Sequence, residues 1–246
     1  MFGHLILAAS SFAVGVFIGS AGVGGVLLIP ALIAFAGLPV HAATASALFS
    51  FLFTGVAGAW LFRRRGSIDW AVSLPVCAGA FLLSATGALA ASATRPAALQ
   101  FAVAAIVLAA GLYVLLPVSR ARATAPPAAR SRAALFGLGA AAGFGAGFSG
   151  AGGPLFSVPL MVACGYEPLL AVGTGQVVQI AAALSGSVGN QLHGAIDYPT
   201  AVLVTVFELP GVALGTRLAH AVPAVWLRRT VGVLCLAAAA GLALRT

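Results

Sequence analysis

Two stretches decide the fold. Residues 19–25 read Gly19-Ser20-Ala21-Gly22-Val23-Gly24-Gly25, and residues 147–154 read Gly147-Phe148-Ser149-Gly150-Ala151-Gly152-Gly153-Pro154. Each lies near the middle of a long apolar run, 4–36 and 133–164. Glycine at this density destabilises a helix by about 1 kcal/mol per residue relative to alanine. It also permits the positive φ that an unwound turn needs. Pro154 suits the first turn of a new helix, where its missing N–H is not required. Each stretch therefore reads as a break between two helical pieces.

The breaks are copies. Gly15, Gly19, Gly22, Gly24 and Gly25 match Gly143, Gly147, Gly150, Gly152 and Gly153, each 128 positions later. Gly66-Ser67-Ile68-Asp69-Trp70 matches Gly194-Ala195-Ile196-Asp197-Tyr198 at the same offset, as Gly87 matches Gly215. Pro39 and Pro168 stand 129 apart. A shared offset across separate blocks marks an internal duplication.

Composition sets the solvent. The 246 residues are 61% hydrophobic and 7% charged, with a mean hydropathy of +1.12. A soluble domain carries about 25% charged residues, so most of this surface faces lipid. Apolar runs fall at 4–36, 42–62, 70–91 and 97–116, then at 133–164, 168–191, 199–219 and 224–244. A span needs about 20 apolar residues. The expectation is an all-α polytopic membrane protein with eight transmembrane helices in two repeated four-span halves. Residues 1–118 form the first half, 119–132 an Arg/Pro-rich linker, and 133–246 the second half. The opening segments can be single broken spans or half-helix pairs; the broken span is preferred here. Four spans per half make the halves parallel.

The net charge of +8 comes from 12 arginines and no lysine. They sit between apolar runs, as topology signals do, and not on one face as nucleic-acid binding requires. With eight spans, Arg63, Arg64, Arg65, Arg120, Arg122, Arg130, Arg132 and Arg245 share one side. Arg95, Arg217, Arg228 and Arg229 share the other. Eight against four places the linker and both termini in the cytoplasm of a bacterial inner-membrane protein. The first segment lacks a basic n-region and reads as part of the mature protein. Cys77, Cys164 and Cys235 read as small buried apolar residues. No metal or cofactor motif is present, His193 has no ligand set around it, and no lysine follows the glycines as a phosphate loop requires.

Function rests on the breaks and on polar residues inside the spans. A helix restarting at membrane depth offers N–H donors and its positive dipole end to an anion. Ser20, Gly22, Gly24 and Gly25, with Ser149, Gly150, Gly152 and Gly153, form the candidate anion site. Thr44, Ser46, Ser50 and Thr54 on the second span, and Gln176, Gln179, Ser187 and Asn190 on the sixth, can line its path. Ser and Thr can instead bond their own backbone. Glu208 is the one acidic residue centred in an apolar run; it can carry a coupling proton, hydrogen-bond a neighbouring helix, or sit partly wet near Pro210. Asp69 and Asp197 read as helix caps. Gly15–Gly19 and Gly143–Gly147 also fit close helix packing.

The GxxGxGG block followed by an apolar run and proline resembles the TauE/SafE family of sulfite exporters and related sulfonate permeases. Ala42-Ala43-Thr44-Ala45-Ser46 and the two G-x-I-D-[WY] loops carry the same resemblance. It implies an eight-span transporter of small sulfur-containing anions, such as sulfite or organosulfonates, without a cofactor. Thr44 has no counterpart, since its place in the second half falls on Gly173. With no catalytic constellation within the spans, an enzyme is not expected. The alternative is a scaffold or channel subunit whose glycines serve helix packing alone.

Overall fold

The computed structural model describes residues 2–22, 24–115, 131–191, 196–221 and 236. The eighth apolar run, most of the 119–132 linker, His193 and Cys235 lie outside them. Among the described residues nine helices form: α1 Phe2–Ala21, α2 Gly25–Phe35, α3 Val40–Arg64, α4 Trp70–Ser92, α5 Pro96–Leu115, α6 Arg132–Ser149, α7 Gly153–Ala163, α8 Pro168–Gln191 and α9 Tyr198–Ala221. No strand occurs among them. Helices α3, α4, α8 and α9 are long and apolar enough to cross a membrane. Their outward residues, including Leu74, Leu82, Val188, Val202 and Val206, are apolar and exposed. Serine, threonine, glutamine and glutamate face inward. That inversion of the soluble pattern suits a lipid exterior.

Local chemistry ends the helices where the sequence predicts. The Asp69 carboxylate accepts from Ala71 N at 2.9 Å and caps α4. Its repeat partner Asp197 accepts from Thr200 N at 3.0 Å and caps α9. Helix α1 stops at Gly22, with φ +72°, whose N–H donates to Ile18 O. Helix α6 stops at Gly150, with φ +68°, whose N–H donates to Ala146 O. Both use the left-handed cap that glycine allows. Cys77 and Cys164 are half-buried, more open than the sequence reading expects.

The opening segments are hairpins, which corrects the preferred single broken span. A Cβ on Gly24 would stand 2.5 Å from the Val14 carbonyl oxygen, so α2 lies back along α1. A Cβ on Gly145 would stand 2.9 Å from the Phe156 ring. A continuous helix would separate those two residues by about 16 Å, so α7 folds back along α6. Helices α2 and α7 have 11 residues each, about 16 Å, half of a bilayer core about 30 Å thick.

Glycine contacts set the helix directions. Gly15 and Gly19 of α1 press on the Glu208 and Val212 carbonyls of α9, and Gly211 and Gly215 press back on Phe12 and Val16. Residue numbers rise together, so α1 and α9 run parallel. Gly139, Gly143 and Gly147 of α6 press on Val76, Ala80 and Ser84 of α4 in the same sense. The 128-residue shift turns one contact into the other, so each half's first helix clasps the other half's helix after the Asp cap. Helices α3 and α8 are equivalents that meet each other. Leu48 faces Gly186, Phe51 faces Gln179, and Phe62 faces Gly173. One number rises as the other falls, so these two run antiparallel.

Antiparallel equivalents require an axis across the helices, within the membrane plane. That describes inverted repeats, not the parallel halves that four crossings each imply. The physical reason is the hairpin: it returns the chain before α3 begins, so α1 and α2 together add no net crossing. The sidedness changes with it. Ser46 Oγ accepts from Asp197 N, and His41 Nε2 lies 3.2 Å from Ala91 O, which gathers the starts of α3 and α9 with the end of α4. At the far end Arg65 donates to Thr216 O at 2.9 Å. Helix α1 runs with α9 and α6 runs with α4, so the start of α1 and the start of α6 lie at opposite ends of the bundle. The single-sided placement of linker and N-terminus is thereby overturned.

Packing at these contacts leaves no room for a side chain. Gly147→Leu drives a side chain into the Ser84 carbonyl; the expected loss is about 3 kcal/mol or more, near the top of the overpacking range. Gly137 has nothing within 4 Å of a built Cβ, so Gly137→Ala is neutral or stabilises by up to about 1 kcal/mol. Thermal unfolding of the purified protein in detergent compares the two; equal melting temperatures contradict this packing.

Candidate functional site

The two breaks meet. A Cβ on Gly25 would lie 2.6 Å from the Ala151 carbonyl oxygen, and one on Gly22 would lie 3.3 Å from Pro154 Cβ. Between them stands Phe51 of α3. Its Cζ lies 2.9 Å from the Gly25 Cβ position and its Cδ2 lies 3.2 Å from that of Gly152. Phe51 is fully buried. It sits near the middle of α3, opposite Gln179 near the middle of α8. Two helix starts, one from each inverted half, therefore converge at mid-depth from opposite directions. Their first amides have no acceptor one turn back, and both dipoles point positive ends at the same spot.

The predicted residues divide by what their polar atoms already do. Gln179 Nε2 donates to Phe51 O at 3.1 Å and to Thr54 Oγ1 at 2.8 Å, tying α8 to α3 beside Gly152. Gln176 Nε2 donates to Ile18 O at 3.0 Å, one turn before the first break, while its Oε1 is buried without a partner. Ser20 Oγ is likewise buried and unpartnered. Ser149 is committed locally: it donates to Gly145 O and accepts from Ala151 N, shaping the second turn. Thr44 packs on Gly150, and its hydroxyl bonds back to His41 O. Ser46 is drawn away from the breaks, holding the loop before α9.

The breaks also differ. Gly24 has φ −65°, an ordinary helical value, and is glycine because α1 leaves no room. Gly152 has φ +86°, which side-chain-bearing residues avoid. The second helix start thus needs glycine for its positive φ and the first needs it for space. Gly15, Gly19, Gly143 and Gly147 belong to helix packing, as the competing reading of those glycines holds.

Two residues of this region escape sequence reasoning. Phe51 is one of three phenylalanines at alternate positions, Phe49, Phe51 and Phe53, and nothing in the pattern marks the central one. Ser157 Oγ, on α7, is fully buried and unpartnered. Its one signal is a hydroxyl where the first repeat has Ile29.

Half-helices that meet between inverted repeats are an arrangement found among membrane transporters. The chain belongs to the sulfite exporter TauE/SafE family, which it matches over residues 7–242. It is 27% identical over 227 residues to a probable membrane transporter protein of Bacillus subtilis (strain 168), YdhB, covering 89% of this chain and 92% of that one. No solved structure matches it. The protein is a multi-pass membrane transporter.

Strain and contact at Gly152 can be separated. Gly152→Ala and Gly37→Ala both place a side chain at positive φ, each losing about 1–2 kcal/mol of stability. Gly37 has open space around it and lies outside the breaks. Both variants should melt earlier in detergent, and only Gly152→Ala should also lose solute flux in liposomes. Equal flux from the two would dissociate Gly152 from the site.

Proposed function

We propose that this protein is a secondary transporter of a small sulfur-containing anion, sulfite or an organosulfonate, and that it works as an exporter by alternating access. The observation that carries the reading is the convergence of the α2 and α7 starts at Phe51. Two clusters of N–H donors with their helix dipoles recognise an anion without a counter-charge. Inverted halves supply the mechanism, since exchanging the conformations of the two halves exchanges the open side. Sulfur chemistry comes from the family alone.

Orientation follows from charge. Among the described residues, Arg63, Arg64, Arg65, Arg132 and Arg217 lie at one end of the bundle and Arg95 at the other. Arg64 stacks 3.8 Å from the centre of the Trp60 ring at that end, and Trp70 is exposed nearby. An arginine excess marks the cytoplasmic side, while tryptophans mark a membrane boundary on either side. On this reading the start of α6 is cytoplasmic, as eight crossings also imply, and the N-terminus is outside, where eight crossings would keep it inside. An anion leaving the cell without a coupled ion gains about 2.3 kcal/mol per charge per 100 mV of inside-negative potential, which favours export; a proton moving with it cancels that term.

Purified protein in liposomes should accelerate the movement of sulfite or methanesulfonate over empty liposomes and over sulfate. Leakage no faster than empty liposomes for every sulfur oxyanion would sink the proposal in favour of a scaffold. For orientation, an impermeant maleimide added to intact spheroplasts should label a cysteine appended to the N-terminus and spare Ser131→Cys. The reverse pattern contradicts the assigned sidedness.

A further inference from the structure

Glu208 is the one acidic residue inside the described helical core, and its surroundings are unusual. It is fully buried, and neither carboxyl oxygen has a hydrogen-bond partner. Of the readings open from sequence, full burial excludes a partly wet position, and the one polar side chain of a neighbouring helix beside the carboxyl is Ser50. Ser50 of α3 faces the carboxyl, but its one hydroxyl proton is donated to Ala47 O at 2.8 Å. Among the described residues no cation stands beside it. On α3 the titratable and charged groups are His41, at the α4 end, and Arg63, Arg64 and Arg65, at the far end, where Arg65 is held by Thr216 O. On α9 they are Tyr198, at its start, whose hydroxyl donates to Gln191 Oε1, Arg217, which is exposed, and His220, which contacts Ser67. On α1 the one such residue is His4, eleven positions from the Gly15 that touches Glu208. Helix α8 has none. An ionised carboxylate buried without a partner is penalised by several kcal/mol.

Position matters as much as burial. The Glu208 backbone is clasped by Gly15, and Ser50 is the chain neighbour of Phe51, the ring between the two breaks. The equivalent clasp in the other half joins Gly143 to Ala80, a methyl group. The asymmetry provides one carboxyl per transporter. A hard divalent cation takes six or more oxygen ligands; a proton needs the carboxylate alone.

We infer that Glu208 is a proton-binding site whose occupancy is linked to the anion: the side chain takes up one proton when an anion settles between the helix starts and releases it when the anion leaves. This rests on the transporter reading given above. An anion near an ionised carboxylate is repelled, and protonation removes the repulsion. By linkage, the proton must then favour the anion equally. A monovalent anion moving with one proton makes the cycle electroneutral.

The test uses methanesulfonate, which stays ionised throughout, so any pH slope belongs to the protein. In wild-type protein the apparent Kd should rise by about tenfold per pH unit above the Glu208 titration, the slope of one linked proton. Glu208→Gln, neutral and of the same shape, should bind with no slope. Flux through wild-type liposomes should ignore an imposed potential, and flux through Glu208→Gln should follow it. At a pH above the Glu208 titration, infrared difference spectra of wild-type protein should gain a protonated-carboxyl band on adding methanesulfonate, a readout that needs no variant. Wild-type binding without a pH slope, or flux that follows the potential, overturns the proton site and leaves the transporter standing. Absence of any anion binding overturns both.

Discussion

Backbone-to-backbone contact through glycine is the constraint on which this structure depends. Inside lipid, helices gain little from hiding apolar side chains from one another, so they associate where their backbones approach closely. The Gly15–Glu208 and Gly147–Ser84 contacts have no space for a methyl group. They join α1 to α9 and α6 to α4, so neither half holds its own first helix. The interlock places both hairpin tips at the centre and points them at each other.

A break at membrane depth is tolerated only where protein satisfies or encloses it. Here each tip is enclosed by the other half. Gly25 rests on Ala151 O, Gly22 on Pro154, and Gly150 on Thr44. Gln179 and Gln176 join the tips to α3 and α1 through side-chain amides that would be expensive to bury alone. The same enclosure that makes unwound backbone affordable gathers helix-start amides at one point. In the proposed function, structure and recognition draw on the same groups.

The symmetry is incomplete, and the departures cluster at the centre. Gly24 is crowded where Gly152 is strained. Phe51 has no aromatic counterpart, since the 128 and 129 offsets fall on Gln179 and Ile180. Glu208 answers to Ala80. A symmetric scaffold supplies two alternative conformations of equal design, and these replacements make the two sides chemically distinct.

By itself the sequence determined the membrane solvent, the duplicated breaks, the caps at Asp69 and Asp197, and the glycines that pack helices. All of these follow from composition or from spacing within a few residues of one helix. Tertiary structure alone decided that each break is a hairpin, because 33 apolar residues satisfy both a tilted span and a returned pair. That one choice inverted the repeats, moved the N-terminus to the face opposite the start of α6, and raised the arginine bias to five against one among the described residues. It also decided which polar side chains are free. Ser149 and Ser46 are consumed by turns, while Glu208, Ser20 and Ser157 are left unpartnered. A hydroxyl's or carboxyl's partner comes from whichever helix lies opposite, and that neighbour is set by packing between segments over a hundred residues apart.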